Sequence, residues 1–177
     1  RVLLLAEGRD YYVRAGEGTL QTDLGTIDLS RLIGREPGST IASHRGVLFT
    51  LRAPRATDFF AHASRSGAPM LPRDIGYVIA ATGMNRRDAV LDAGTGSGIA
   101  AIYFGGIARS VETYEQRTEF AAIAEANIRD AKLENVRVVA EDVLTARGEY
   151  DVIHLDLSVR REHIEHAYHH LRPGGYL

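Results

Sequence analysis

The segment Val90-Leu91-Asp92-Ala93-Gly94-Thr95-Gly96-Ser97-Gly98 constrains this chain more than any other part of it. A short apolar run ends in an acid, alternating glycines follow, and an apolar, helix-compatible stretch begins at Ile99. That order predicts a strand, a tight turn and a helix N-terminus. Glycine reaches positive φ freely and lets a ligand approach the main chain where a Cβ would stand. The first N–H groups of a helix lack partners within it and suit an anionic or carboxylate-bearing ligand. A nucleotide-type cofactor is therefore expected.

The known glycine patterns narrow the choice. Dinucleotide-binding loops read G-x-G-x-x-G, with an acid about 20 residues further on. Phosphate loops need a lysine after the last glycine. Here the glycines read G-x-G-x-G, an acid precedes them, and no lysine follows. An acid before G-x-G-x-G resembles motif I of the class I S-adenosylmethionine (SAM) methyltransferases. That resemblance implies that Asp92, Gly94, Thr95, Gly96, Ser97 and Gly98 cradle the amino-acid part of SAM. Another nucleotide-cofactor fold or a purely structural glycine turn stays open on this segment alone.

Composition sets the outer bounds. At 177 residues the chain holds one ordinary domain and a small extra module. It has no cysteine, which excludes disulfides and thiolate chemistry and fits a cytoplasmic enzyme. No apolar run is long enough for a membrane span. The net charge of −2 argues against a uniformly positive surface. Yet Arg31, Arg35, Arg45, Arg52, Arg55, Arg65 and Arg73 face only Glu36 and Asp58 in the same stretch. Such a basic segment on a near-neutral protein reads either as a nucleic-acid footprint or as a solvated arginine-rich surface. The chain opens on Arg1 and stops just after Gly174-Gly175, and we read it as incomplete, with further C-terminal strands expected.

Short apolar runs punctuated by glycine fill the first part of the chain. Val2–Leu5, Tyr11–Val13, Thr26–Leu29 and Val47–Leu51 are predicted strands, giving a small β domain over 1–62 that ends in a short helix at 57–62. Over 63–177 the pattern alternates. A helix is expected at Ile75–Thr82, then strand Ala89–Asp92, helix Ile99–Gly105, strand Ser110–Tyr114 and helix Thr118–Ala131. Strands Val136–Ala140 and Tyr150–Leu157 follow, then a helix Arg161–Leu171. Alternation with short links predicts an α/β fold, a Rossmann-like doubly wound parallel sheet. Ligands then bind beyond the carboxyl ends of the strands. Asp92, Glu115, Asp142 and Asp156 all fall at or just past those ends.

Glu115 lies seventeen residues past Gly98, where a carboxylate can accept from both ribose hydroxyls. Asp142 follows the third strand of the sheet, where methyltransferases commonly place an acid against the adenine amine; a loop cap is the alternative. Asp156 ends the fourth strand, beside the expected methyl group. Methyl transfer needs an aligned nucleophile and stabilisation of the charge that appears on it. A carboxylate there can hold the amine of a target adenine and offset that charge. His154 shares the face of Asp156 and reads as a packed strand histidine, with a proton relay as the lesser option. His163, His166 and His170 share one helix face, but no carboxylate completes a ligand set, so no metal is expected.

The chain also resembles one methyltransferase family, the tRNA adenine-N1 methyltransferases of the TrmI type. The residues that carry the likeness are Ser64-Arg65-Ser66-Gly67-Ala68-Pro69-Met70-Leu71-Pro72-Arg73-Asp74, motif I from Leu91 to Gly98, Val111-Glu112-Thr113-Tyr114-Glu115 and Leu155-Asp156-Leu157. The resemblance implies methylation of N1 of adenosine 58 in the tRNA T-loop, with SAM as cofactor and Asp156 against the target adenine. It further implies a homotetramer for the whole protein. The chain departs from the family at Leu71, where an aromatic residue is usual, and at Arg73, where lysine is usual. At Ser158-Val159-Arg160 it lacks the family's proline-rich stretch ending in tryptophan. The alternatives are a small-molecule methyltransferase of the corrinoid-pathway type and a non-catalytic tRNA-binding subunit, the latter disfavoured by the intact motif I.

Overall fold

A computed structural model describes residues 1–177 as two compact units, Arg1–Arg55 and Ala56–Leu177. In the first unit, strands β1 (Val2–Ala6), β2 (Arg9–Val13), β3 (Thr19–Thr22), β4 (Gly25–Asp28), β5 (Thr40–Ala42) and β6 (Leu48–Arg52) are all short. They form an antiparallel sheet of order β2-β1-β6-β5 and a separate hairpin of β3 with β4. Leu4, Val13, Ile27, Leu32, Ile41, Phe49 and Leu51 make its core. Strands β3 and β5 were not expected from sequence. They are four and three residues long, too short to show an apolar alternation, and their pairing partners hold them in place.

The second unit begins with helix α1 (Ala56–His62), which packs against α3 (Ile99–Gly105) and α4 (Thr118–Ala131). This helix lies inside the range given to the leading domain from sequence. Next come α2 (Pro72–Thr82) and then the strands β7 (Ala89–Ala93), β8 (Ser110–Tyr114), β9 (Val136–Val139), β10 (Tyr150–Leu155) and β11 (Leu171–Tyr176), with α5 (Arg161–His170) before the last. The sheet order is β11-β10-β7-β8-β9, and every pairing is parallel. The chain thus leaves β7 towards β8 and β9, then returns to the other side of β7 with β10. That reversal opens a crevice at the carboxyl ends of β7 and β10, the place where open α/β sheets bind ligands.

Central β7 is buried at every residue, as a strand covered on both faces must be. Leu91, Tyr114, Ile153 and Ala167 belong to the core on one side of the sheet. Helix α2 starts a turn earlier than its apolar period suggests, because Pro72 supplies the pre-set φ of a first helical turn. The stretch Pro173-Gly174-Gly175 lies within β11, whose pairing with β10 shifts register between Tyr150 and Val152. That strand is at the sheet edge, where proline and a positive-φ glycine are tolerated.

Candidate active site

The glycine turn is shaped by contacts that only glycine permits. Gly94 has φ +91°, and a Cβ on it would stand 2.0 Å from the Asp156 carbonyl oxygen. The Asp156 N–H donates to the Ala93 carbonyl at 2.8 Å, so the turn after β7 and the end of β10 are locked together. Gly98, at φ +79°, lets α3 begin against α4, where a Cβ would meet Ala124 at 3.1 Å.

Beneath the turn runs a buried polar chain. In the parallel register Asp92 lies between His154 of β10 and Thr113 of β8. Lateral neighbours in a parallel sheet point to the same face, so their side chains meet. The Thr113 hydroxyl donates to Asp92 Oδ2 at 2.6 Å, and the Thr95 hydroxyl lies 2.6 Å from that of Thr113. Thr113 has only one hydrogen to give, so Thr95 is the donor of the second bond. On the other side, His154 Nδ1 donates to Asp92 Oδ1 at 2.7 Å. Burial, the strongest influence on His154, favours its neutral form. The Asp92 hydrogen bond and the charges of Asp92 and Asp156 outweigh it, and the imidazole is held above its ordinary range. His154 also sets its ring edge-on to Phe104, at 5.4 Å between centroids. Both oxygens of Asp92 are thus engaged inside the protein, and its carboxylate ties β7 to β8 and β10.

Glu115 follows β8 and is almost fully buried. Gly96 N–H donates to its Oε2 at 3.0 Å and Arg117 N–H to its Oε1 at 3.2 Å. The Arg117 side chain adds Nε to Oε1 at 2.8 Å and Nη2 to Oε2 at 3.2 Å. Burial, the largest influence, favours the protonated acid, but these donors together hold Glu115 below the usual carboxylate range. Arg117 in turn lies over the ring of Phe120, 3.9 Å from its centroid.

Asp142, read from sequence as an acceptor for the adenine amine or as a loop cap, makes two local contacts. Its Oδ1 accepts from Leu144 N–H at 2.9 Å, capping the short 3-10 turn Val143–Thr145, and its Oδ2 accepts from Gln116 at 2.5 Å. The loop-cap alternative is what the structure displays. Asp156 contrasts with all of these. It is exposed, and its carboxylate accepts no hydrogen bond from the protein.

These residues surround two adjoining cavities. One of about 440 Å³ is lined by Gly94, Glu115, Arg117, Asp156, Ser158 and His163 among others. The second, of about 350 Å³, lies between Ser66–Met70 and the glycine turn, and Gly94, Arg117 and Asp156 border it too. Segment 64–70 is fixed to the turn by Ser66 N–H donating to Ser97 Oγ at 3.0 Å. The Asn127 amide reinforces this by donating to both Ser64 and Ser97 carbonyls. Asn127 and Arg117 were not singled out from sequence. Arg117 stands at the N-cap of α4 and Asn127 in its second half, a polar residue that the helix buries, and that burial is not visible in the sequence. The α5 histidines are occupied locally. His163 Nδ1 accepts from Arg160 N–H at 3.0 Å, and His166 and His170 each set a ring nitrogen against a carbonyl, of Ala146 and Gly148 respectively.

The donor set fits SAM. Glu115 offers a two-oxygen acceptor of the kind a ribose diol needs, and the turn offers an approachable backbone that a Cβ at Gly94 would block. A parallel sheet of this order, with a motif I turn at its switch point and an acid at the next strand end, defines a class I SAM-dependent methyltransferase fold. The sequence model of the ribosomal RNA adenine dimethylase family matches residues 74–170. A tRNA (adenine(57)-N(1)/adenine(58)-N(1))-methyltransferase TrmI from Methanocaldococcus jannaschii is 34% identical over 131 residues, 72% of this chain and 45% of that protein. The tRNA (adenine(58)-N(1))-methyltransferase TrmI of Thermus thermophilus is 30% identical over 179 aligned positions, 97% of this chain and 70% of that protein. A solved SAM-dependent O-methyltransferase from Thermotoga maritima superposes with a TM-score of 0.85 at 26% identity, covering 99% of this chain and 69% of that one. The chain belongs to the TrmI family of tRNA adenine-N1 methyltransferases. It spans under half the length of the Methanocaldococcus relative and about seven-tenths of the Thermus one.

Proposed function

We propose that this chain is the catalytic core of an enzyme that methylates N1 of adenosine 58 in the tRNA T-loop. The observation that carries the reading is the Asp156 carboxylate, left without a partner at the junction of the two cavities and fixed in place through Gly94. Bound SAM supplies an electrophilic methyl group on a cationic sulfonium. Glu115 holds the ribose, and the glycine-rich backbone of the turn from Gly94 to Gly98 leaves room for the amino-acid end. Asp156 accepts from the exocyclic amine of the target adenine, which orients N1. As N1 gains its methyl group the ring becomes cationic, and the adjacent carboxylate offsets that charge. Residues 66–70 form one wall of the second cavity. The whole protein is further proposed to act in the cytoplasm, as a homotetramer; no helix is long and apolar enough to cross a membrane.

The test uses the whole protein, a tRNA transcript and radiolabelled SAM, followed by nucleoside mass spectrometry. The expected product is 1-methyladenosine at position 58, absent with Asp156→Ala. Equal labelling of a transcript carrying guanosine at 58 would overturn the substrate assignment. A second product at position 57 would align the specificity with that of the Methanocaldococcus relative, and an O-methylated nucleoside would refute the N1 chemistry. Size-exclusion chromatography with light scattering checks the tetramer.

A further inference from the structure

The acceptor capacity of Glu115 is full before any ligand arrives. A carboxylate offers about four lone-pair sites. Two are taken by backbone N–H groups, of Gly96 and Arg117, and these belong to the shape of the turn itself. The other two are taken by one side chain, with Arg117 Nε on one oxygen and Nη2 on the other. A vicinal ribose diol presents the same fork of two parallel donors, one for each oxygen.

We propose that the Arg117 guanidinium is a resident stand-in for the ribose diol, and that the cofactor binds by displacing it from Glu115. This rests on the reading of Glu115 as the ribose acceptor. The geometry allows the exchange. Glu115 is enclosed, with 4% of its side chain exposed, whereas 57% of the Arg117 side chain is exposed and free to leave. The flat face of Phe120 gives the guanidinium a support that does not depend on Glu115. Arg117 also borders both cavities, so it has room on either side of Glu115. The arrangement keeps a buried carboxylate paired in the absence of ligand. It also lowers apparent affinity by the fraction of molecules in which the fork is closed.

The inference predicts an order of affinities opposite to that of an ordinary contact residue. For S-adenosylhomocysteine, measured by calorimetry, Arg117→Ala should bind about three- to tenfold more tightly than wild type. Arg117→Lys should lie between them, because an ammonium cannot span both oxygens. The gain should be present for adenosine and lost for 2′,3′-dideoxyadenosine, which has no diol to take the vacated sites. A general loosening of the site would not distinguish the two nucleosides. A wild-type measurement guards against a variant that does not fold. The Arg117 Nε–H resonance should shift when adenosine is added and stay put with the dideoxy compound.

Weaker binding by Arg117→Ala than by wild type, or an Nε–H signal indifferent to adenosine, overturns the displacement. If wild type and variants alike fail to bind S-adenosylhomocysteine, the methyltransferase reading itself falls, and the displacement with it.

Discussion

The two halves of the crevice are built on different principles. On the β7–β8 side the acids Asp92 and Glu115 are buried, with donors from the protein on both oxygens of each. On the β10 side Asp156 stands in the open with none. The first half is finished in the absence of ligand; the second is finished only by what binds there. A binding surface gains from groups already fixed, whereas a carboxylate meant to answer a charge that appears during reaction must keep its lone pairs free. Bracing on one side and vacancy on the other is the division of labour expected of a transferase.

The sharpest break of this contrast is Asp156→Ala in the whole protein. Turnover should fall on the order of a thousandfold, while the melting temperature and S-adenosylhomocysteine affinity stay near wild type. A matching loss of affinity in calorimetry would mean that Asp156 belongs to the braced half after all. Next in size is Asp92→Ala, which strips His154 and Thr113 of their common partner. It should lower stability by about 3 kcal/mol in urea unfolding, because it breaks a buried pair. An effect confined to activity would contradict its bracing role.

The His154 pair gives a pH signature. Its folded pKa lies above the unfolded value of about 6.5. The stabilisation it contributes is therefore complete below pH 6.5 and drains away as pH rises through the folded value. His154→Ala should flatten that decline, and a profile that keeps its slope would remove the protonated imidazole from the account. The smallest expected change is Asp142→Ala, about 1 kcal/mol from the lost cap of Val143–Thr145. A large drop in cofactor affinity there would return Asp142 to the adenine pocket.

Much of this was legible in the sequence, for a reason visible in the elements themselves. Helices α3 and α4 and strand β8 have the bounds that their apolar periods predict. Strong periodicity and a glycine turn are local properties, and local properties can be read from the chain. The polar chain from His154 through Asp92 to Thr113 and Thr95 is not local. It exists because β10 and β8 flank β7 in matching register, and strand order cannot be read from any one strand. Arg117 was overlooked for a related reason. Two residues beyond Glu115 it reads as a solvated helix start, and only the folded chain shows its fork turned back. In the first unit, β3 and β5 lacked an apolar period to announce them.

The Asn127 amide commits both of its hydrogens, one to a carbonyl of segment 64–70 and one to a carbonyl of the glycine turn. The segment and the turn therefore share a single hinge pin. Either one that swings outward strands its own carbonyl oxygen and a hydrogen of that amide, so one side chain resists both movements and their openings should be linked in amide exchange. Replacing Asn127 with leucine would uncouple those two clocks.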